Sequence, residues 1–498
     1  MRWIVLGTLC LCMLMVAMDA NILHTVMPTL IRVMRPTTIE QLWIVNAYAL
    51  TLAGLLITMG ALSDRHGRRR LLLWGLAVFG VASLMAGWIH QPWQAIACRG
   101  LLGIGGAMIM PNILSLIRNT FTDPRERTIA LSACGVAGCV GAAVGPVLGG
   151  ALVQVFNWQA AFLINVVVVL VAIPLVVTTV QESSSPGNRR WDWTSVGLSF
   201  VGMTALVQAI KLMGKSGWLS VEALALFAMG ISSLAWFVRR QLATDDPLLD
   251  VRLFGLRSFS VGIFVYAMVM FALSSTIYLA SQWLQFVYLL SPVDTGFWLL
   301  PATASALLGA LAVPYCLQHW NVRDVMLAGM VCIAMTLFVP GMNGSGSLLL
   351  FSVSLAFLGA GVSLCLSSAT TVVIMAAPAE RAGSAAAVQS TAYEIGNVLG
   401  IAVIGSGAAA MYSHAVRLPE GIADSLAGSI RISVGEGVAA VASLPQETGV
   451  PLKKAVNLAF DHAFSTSSFV LGCMMLGAAM LTFVLLRDRP ATEAERLT

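Results

Sequence analysis

Three ionisable residues lie deep inside long apolar stretches of this 498-residue chain, where a charge is costly: Asp19, Arg99 and Glu394. A carboxyl group in a low-dielectric cavity can bind and release a proton near neutral pH. When it is deprotonated, it offers its negative charge to an organic cation that has lost its water. The two carboxyl groups are therefore candidates for proton exchange and for cation binding.

Glu394 belongs to the segment "STAYEIGNVLG", residues 390–400. On a helix, Ser390, Thr391 and Asn397 lie three or four residues from Glu394 and share its face. A polar stripe of this kind indicates a water-filled cavity rather than lipid. The alternative is a structural one, in which Glu394 pairs with an arginine or a hydroxyl group of a neighbouring helix.

Arg99 is the basic member of the set. A guanidinium near the centre of a bilayer costs about 2.5–3.5 kcal/mol on insertion scales, so Arg99 needs a partner or water. Asp19, in the first apolar stretch, is a candidate neighbour in the same helical bundle. Asp19 and Glu394 would then face each other across a central cavity. Alternatively, Arg99 lies close enough to a membrane face for its side chain to reach water.

Aromatic, amide and thioether side chains can complete a site for an organic cation through cation–π and soft contacts. Each is also compatible with a place in the core or in the interfacial belt, and Trp43 in particular is typical of an interfacial anchor. The candidates are Met15, Met18, Trp43, Asn46, Tyr48, Trp283, Gln285 and Tyr393.

The composition places these residues in a membrane. Hydrophobic residues make up 58% of the chain and charged residues only 10%, with a mean hydropathy of +0.86. Soluble domains carry about 25% charged residues. The net charge of +5 is explained by basic residues in cytoplasmic loops and does not require a nucleic acid partner. The chain is therefore expected to be a multi-pass membrane protein.

Apolar runs of about twenty residues predict fourteen transmembrane helices, so the fold class is all-α. A polar break after the sixth span and another after the eighth divide the chain into two six-helix bundles with two additional helices between them. The predicted regions are 1–180 for the first bundle, 181–258 for the linker with the additional helices, and 259–498 for the second bundle. The predicted spans are 4–27, 43–62, 71–89, 93–116, 129–153, 159–180, 194–213, 220–238, 259–283, 293–316, 324–341, 347–372, 384–411 and 463–486.

Basic residues indicate the orientation, because most of the 28 Lys and Arg residues fall on one side if both termini are cytoplasmic. The N-terminal run continues to Val26, so we expect it to be the first span rather than a cleaved signal.

A long outer loop is predicted at about 412–462. Within it, "PLKKAVNLAFDHAF" has apolar residues at helical spacing, which predicts an amphipathic hairpin over the outer face.

The loop between the second and third spans carries the most specific motif, "GALSDRHGRRRLLL" at 60–73. Gly60 permits close helix approach, and Asp64 can cap the next helix or pair with a nearby arginine. The pattern G-x-L-x-D-R-x-G-R-R resembles the signature loop of the major facilitator superfamily, which acts as a latch in an alternating-access cycle. The resemblance implies this role for Gly60, Asp64, Arg65, Gly67 and Arg68.

Two further spans resemble the same superfamily. The fifth reads "GVAGCVGAAVGPVLGGA", similar to the antiporter motif that is found in exporters and generally lacking in symporters. The resemblance favours export and implies a conformational role for Gly141, Gly145, Pro146 and Gly149. The fourth span contains Arg99 in "CRGLLGIGGAM". In the superfamily, an arginine at this position is associated with proton coupling.

The first span, "MVAMDANILHTVMPTL", resembles the motif D-x-T-x-x-N-x-A-x-P of the drug:proton antiporters with fourteen spans. Asp19 and Pro28 match this motif, whereas Asn21 and His24 depart from it. No role is therefore carried over to those two positions. Within that group, the D-A-x-x-L-H form of this span and the "AYEIG" segment look closer to the methyl viologen and quaternary ammonium efflux pumps.

The resemblance implies a major facilitator fold and a proton-coupled antiporter that exports quaternary ammonium compounds, viologens, cationic dyes and biocides. It implies a bacterial inner-membrane protein, monomeric, whose partners are small cations, protons and lipid, with no nucleic acid, cofactor or metal. The alternative is an exporter of a metabolite such as an amphiphilic acid or an amino acid. An enzyme is disfavoured, because the six histidines are scattered and the chain has no Walker loop.

Overall fold

The computed structural model describes residues 2–121, 123–183, 192–216, 220–244, 251–343, 347–376, 382–419, 422 and 424–486. Within these ranges the secondary structure is helical and contains no strand. Fourteen of the described helices are long and apolar enough to cross a membrane. The predicted all-α fold with fourteen membrane helices is therefore confirmed.

Each predicted span corresponds to one helix. The first bundle contains α1 (Arg2–Met34), α2 (Thr38–His66), α3 (Arg68–Met85), α4 (Pro92–Thr120), α5 (Pro124–Val155) and α6 (Ala160–Thr179). The additional helices are α7 (Trp193–Ser216) and α8 (Val221–Ala243). The second bundle contains α9 (Arg257–Phe286), α10 (Pro292–His319), α11 (Val322–Asn343), α12 (Leu348–Ala376), α13 (Ala382–Ala415) and α16 (Gln446–Leu485). Two short helices, α14 (Asp424–Ile432) and α15 (Val434–Ser443), precede α16.

We call the side at which α1 begins the near face and the side at which it ends the far face. Two of the helices that begin at the far face, α2 and α10, have polar caps. Thr37 and Glu40 form a capping box at the start of α2, in which each side chain accepts a hydrogen bond from the backbone of the other. At the start of α10 the Ser291 hydroxyl accepts a hydrogen bond from the backbone N–H of Asp294 and donates one to its carboxylate. Asp294 is thus part of a helix cap.

The glycine face of α5 packs directly on α1. A Cβ added at Gly145 would lie 2.8 Å from the carbonyl oxygen of Met18, and one at Gly149 would lie 2.5 Å from a side-chain carbon of Ile22. Gly141 meets the backbone of Leu14 in the same way. Because the glycines lack side chains, the two helix backbones are in contact along more than two turns. This contact fixes the position of α1, which carries Asp19.

A neighbouring face of α5 meets α10 of the second bundle in a reciprocal contact. A Cβ at Gly150 would lie 2.5 Å from the carbonyl oxygen of Pro292, and a Cβ at Gly296 would lie 2.7 Å from the carbonyl oxygen of Pro146. Each helix thus presents a proline and, four residues later, a glycine to its antiparallel partner. We call these four residues the α5–α10 contact.

The other described contacts that join the two bundles directly also lie at the middle or in the far half. Gln285 of α9 donates a hydrogen bond to the carbonyl oxygen of Thr25 at 3.0 Å. Arg32 of α1 in turn donates to the carbonyl oxygen of Gln285 at 3.0 Å. Asn46 of α2 donates to the carbonyl oxygen of Val398 on α13 at 3.4 Å. The bundles therefore meet at their far ends.

The two additional helices have different environments. α7 lies against both α2 and α13, where Leu50, Val207 and Val398 share one buried cluster. The indole of Trp43 donates a hydrogen bond to the side chain of Gln208 at 2.6 Å. α8 packs mainly on α7 and exposes most of its apolar surface. The structure thus places α7 along the seam between the bundles and α8 at the periphery.

An ion pair joins the near-face ends of α7 and α8. The guanidinium of Arg240 donates to both carboxylate oxygens of Asp192, at 2.8 and 3.0 Å. The hydrogen bonds from Arg240 hold the pKa of Asp192 below its ordinary value, at about 2. The pair therefore stays charged at every physiological pH, although its exposure to solvent limits what it adds to stability.

The far-face segment differs from the predicted hairpin. Residues Leu452, Val456, Ala459 and Phe460 are buried at helical spacing as predicted, but they form the beginning of α16 and continue into the last span without a break. The residues between them and the last span contain no proline or glycine, so the helix has no reason to end. The hairpin is formed instead by α14 and α15 together with the start of α16.

Candidate functional site

A buried ion pair lies at the centre of the first bundle. Asp19 of α1 is fully buried and Arg99 of α4 is 2% exposed, and their carboxylate and guanidinium are 2.8 Å apart. Asn165 of α6 donates a hydrogen bond to the second carboxylate oxygen of Asp19 at 2.7 Å. Both oxygens of Asp19 therefore have partners, which reduces the penalty for burying a charged pair.

Tyr48 of α2 covers this pair. The guanidinium carbon of Arg99 lies 4.4 Å from the centre of the Tyr48 ring, which is a cation–π contact. α2 can approach α4 this closely because a Cβ at Gly106 would lie 3.2 Å from the Tyr48 hydroxyl, so only a small residue fits. Four helices of the first bundle thus converge on this buried ion pair.

Glu394 lies on the second bundle, across from Tyr48. It is 6% exposed, and its side chain is hydrogen-bonded to Asn397 on the same helix. The phenol of Tyr48 is close enough to interact electrostatically with Asp19, Arg99, Glu394 and Tyr393. Tyr48 therefore stands between the ion pair of the first bundle and the carboxyl group of the second.

The two carboxyl groups are not equivalent. Asp19 is neutralised by Arg99, whereas Glu394 forms no ion pair with any residue that the structure describes. A buried carboxyl group without a counter-charge can be neutralised by a proton or by a bound cation. The geometry therefore makes Glu394 the group at which a proton and a cation can compete.

Several buried polar atoms around Tyr48 have no hydrogen-bond partner among the described residues. Such atoms can still form hydrogen bonds with water or with a ligand, because buried polar groups are nearly always paired. They lie on both bundles and between the ion pair and the far face. They are His24 Nδ1, Thr25 Oγ1, Asn46 Oδ1, Tyr48 Oη and Gln285 Oε1.

The remaining predicted substrate contacts are spread over the interior. Met15 and Met18 are buried in α1, and Asn46 and Gln285 contribute to the hydrogen bonds between the bundles. Trp283 is 2% exposed and packs among Phe351, Phe464 and Tyr288, with its indole donating to Asp461. Of the predicted set, Tyr48 interacts with both Glu394 and the ion pair, and Tyr393 interacts with Tyr48. The roles of the others in substrate binding stay predictions.

The signature loop is held by a residue that lies far from it in sequence. Gly67, between α2 and α3, has a φ of 104°, and the carboxylate of Glu182 accepts hydrogen bonds from the backbone N–H groups of Arg69 and Arg70 at 3.1 and 3.2 Å. The backbone N–H of Arg68 donates to the carbonyl oxygen of Ser183 at 3.0 Å. Glu182 thus caps α3. Gly60, Asp64 and Arg65 belong to α2, and their surroundings fall outside the described part of the chain.

Replacing Gly67 with alanine is expected to lower the thermal stability of the purified protein. A Cβ at Gly67 would lie 2.6 Å from the Glu182 carboxylate, and the backbone conformation is one that L-residues rarely adopt. The expected loss is about 1–3 kcal/mol. Gly7→Ala on α1 is the matched control, because an added Cβ there has no neighbour within 4 Å. Equal melting temperatures for Gly67→Ala and wild type would contradict the capping interaction.

Three contributors to the site and its supports were not predicted from sequence. Asn165 interrupts the apolar run of α6, and a lone amide in such a run is a signal that could have been noticed. Glu182 follows α6 in a polar stretch and carried no such signal. Gly296 lies in a helix without a glycine pattern, so only its contact with α5 identifies it.

Among the described residues, no group of three His, Cys, Asp or Glu side chains could hold a metal ion.

Comparisons with known proteins agree with this architecture. Residues 9–401 match the family model of the Major Facilitator Superfamily. The chain is 36% identical to the multidrug efflux pump LfrA of Mycolicibacterium smegmatis, over 97% of this chain and 96% of that protein. It is 35% identical to the methyl viologen resistance protein SmvA of Salmonella typhimurium, over 95% of this chain and 96% of that protein.

A solved structure shows the same fold. It is a bacterial homologue of the human lysosomal transporter Spinster in an inward-facing, unoccupied conformation. The TM-score is 0.72 with 16% sequence identity, and the alignment covers 98% of both chains.

Proposed function

The chain belongs to the major facilitator superfamily, a group of membrane transporters, and from this premise we propose that it exports organic cations in exchange for protons. The observation that carries the proposal is Glu394, a buried carboxyl group without an ion-pair partner among the described residues. The relatives named as a multidrug efflux pump and a methyl viologen resistance protein support organic cations as the substrate class.

We place the near face in the cytoplasm and the protein, as a monomer, in the inner membrane of a bacterium. The excess of basic residues on the near face supports this orientation. Because the described contacts between the bundles lie at the middle and in the far half, this conformation is closed to the outside. Substrate would then enter from the cytoplasm and reach Glu394 between the bundles.

Exchange follows from the use of one carboxylate for two ligands. In the inward-facing state Glu394 releases a proton and accepts the cation, and in the outward-facing state a proton displaces the cation. The protein changes conformation when the Glu394 charge is neutralised by either ligand, because moving an uncompensated charge through the seam is unfavourable. We assign to Asp19 and Arg99 a second proton-linked step, in which protonation of Asp19 releases the guanidinium toward Tyr48.

The proposal is tested with everted membrane vesicles energised by respiration, in which the vesicle interior is acidic. Adding methyl viologen or tetraphenylphosphonium to vesicles that contain the wild-type protein should release protons from the interior, measured with a pH-sensitive dye. Vesicles without the protein are the control. If no cation releases protons but an amphiphilic acid or an amino acid does, the protein is a metabolite exporter and the proposal is wrong.

Replacing Gly296 with alanine is expected to shift the protein toward the outward-open state. The added Cβ would lie 2.7 Å from a backbone oxygen that cannot rotate away, so the α5–α10 contact must open. Overpacking costs about 1–3 kcal/mol. A change of this size in the free-energy difference between the two conformations raises the population of the outward-open state roughly 5- to 150-fold.

The opening is measured through Thr25→Cys, a buried position on α1 in the far half of the seam between the bundles. In a background without accessible native thiols, labelling by a membrane-impermeant maleimide added from the far side should become faster when Gly296→Ala is present. Gly477→Ala on α16 is the matched control, because an added Cβ there has no neighbour within 4 Å. Unchanged labelling with Gly296→Ala would show that the contact does not control access.

A further inference from the structure

α9 and α13 are in backbone contact through two glycines. A Cβ at Gly396 would meet the carbonyl oxygen of Ala267, and a Cβ at Gly400 would lie 2.9 Å from the Cα of Phe271. Gly396 and Gly400 are one turn apart on α13, so the two helices touch over at least that turn. The side chains that flank this contact on α9 and on α13 are therefore neighbours.

The side chains beside this contact, toward the near face, are two tyrosines. Tyr393 precedes Gly396 by three residues on the same face of α13, and Tyr266 precedes Ala267 on α9. Their ring centres are 6.3 Å apart and the ring planes are inclined by 53°. Both residues are partly exposed although they lie well inside membrane-spanning helices. Tyr393 interacts electrostatically with Tyr48 of the first bundle, so the pair lies on the side of the second bundle that faces the first.

Tyr266 is held in place by polar groups at its hydroxyl end. Its hydroxyl is hydrogen-bonded to Gln389 of α13 and Thr370 of α12. Gln389 also donates a hydrogen bond to the Thr370 hydroxyl at 2.8 Å. Three helices of the second bundle thus fix the orientation of the ring, and the hydroxyl group is already used. The free part of Tyr266 is the face of its ring.

Glu394 follows Tyr393 directly in sequence, and both side chains are close enough to Tyr48 of the first bundle to interact with it electrostatically. Glu394 has no ion-pair partner among the described residues, as shown above. Other aromatic groups are less available, because the rings around Trp283 fill one another's faces and Tyr48 already lies on Arg99. The Tyr266–Tyr393 pair is therefore an aromatic surface that is partly exposed and adjoins Glu394 in sequence.

We propose that Tyr266 and Tyr393 form an aromatic corner that binds the cationic head group of the substrate, with Glu394 as its counter-charge. The inference rests on the proposed function and adds a binding subsite to it. Two inclined rings offer two π faces to a rounded head group such as a quaternary ammonium or a tetraarylphosphonium ion. A flat cation can stack on only one of the two rings, so the corner favours rounded cations.

The inference is tested by the equilibrium binding of radiolabelled tetraphenylphosphonium to the purified full-length protein in detergent. Tyr266→Leu and Tyr393→Leu should each weaken binding by about tenfold, because each removes one desolvated cation–π contact. Tyr266→Phe keeps the ring and should bind within about twofold of wild type, since the hydroxyl contacts protein groups rather than the ligand. Tyr315→Leu, a lipid-exposed tyrosine on α10, is the control for the loss of a tyrosine.

The outcomes separate the subsite from the proposed function. Normal binding by wild type together with unchanged affinities for both leucine variants overturns the aromatic corner and leaves organic cation export intact. If wild type binds no cation and releases no protons, the proposed function itself fails. A loss in Tyr266→Phe as large as that in Tyr266→Leu would also overturn the inference, because the hydroxyl and its supports would then matter rather than the ring.

Discussion

Replacing Glu394 with glutamine should abolish the proton release that organic cations produce in everted vesicles, while the protein remains folded and inserted. Glutamine has nearly the same shape and can keep the hydrogen bond with Asn397, but it can neither release a proton nor carry a charge. The expected signal is that of vesicles without the protein. Binding of tetraphenylphosphonium should weaken by at least about tenfold, because the counter-charge is gone.

The pH dependence of binding provides a second measurement. In wild type, protons and cations compete for Glu394, so the affinity for tetraphenylphosphonium should fall as the pH is lowered. In Glu394→Gln the affinity should no longer depend on pH over the same range. Glu222→Gln, at the far-face end of α8, is the matched control for the change of charge. Full proton release by Glu394→Gln would remove Glu394 from the transport cycle.

Removal of one member of the Asp19–Arg99 pair should be strongly destabilising. Asp19→Asn leaves the buried guanidinium without a counter-charge, and Arg99→Gln leaves the carboxylate without one. Breaking a buried ion pair in this way costs about 3–5 kcal/mol. Thermal unfolding of the purified variants measures the effect, and each single variant should melt well below wild type. Both should also lose cation-driven proton release.

The double variant Asp19→Asn, Arg99→Gln distinguishes stability from mechanism. It contains no uncompensated charge, and the two amides can still form hydrogen bonds with each other and with Asn165. We expect its melting temperature to recover most of the loss, whereas proton release stays absent. If the single variants melt at the wild-type temperature, the ion pair is solvated. If the double variant recovers proton release, the role of the ion pair is purely structural.

The fold was predictable from sequence because it depends on local properties. A run of about twenty apolar residues specifies a membrane helix regardless of its neighbours, so all fourteen helices were found. Charges are so rare in these runs that Asp19, Arg99 and Glu394 stood out individually. The proposed pairing of Asp19 with Arg99 followed from the need of a buried guanidinium for a partner, and the structure contains this pair.

The remaining features depend on which helices meet, and a single sequence does not carry that information. Asn165 is one of several polar residues in apolar runs, and only the packing of α6 beside α1 brings it to Asp19. Tyr266 lies in an unremarkable stretch of α9 and gains its neighbours through the glycine contact with α13. The far-face hairpin was mispredicted because periodicity identifies a helix but does not show whether it continues into the next one.

The α5–α10 contact has a consequence for the energy balance of a cell that carries this protein. The contact is made by backbone atoms of two prolines and two glycines, so it has no side chain that could swing aside for a moment. Water molecules cannot pass through the α5–α10 contact unless the two helices move apart. For a proton-coupled exporter, such a contact keeps the membrane tight between transport cycles. The cell can then keep many copies of the pump in its membrane without a continuous leak of protons.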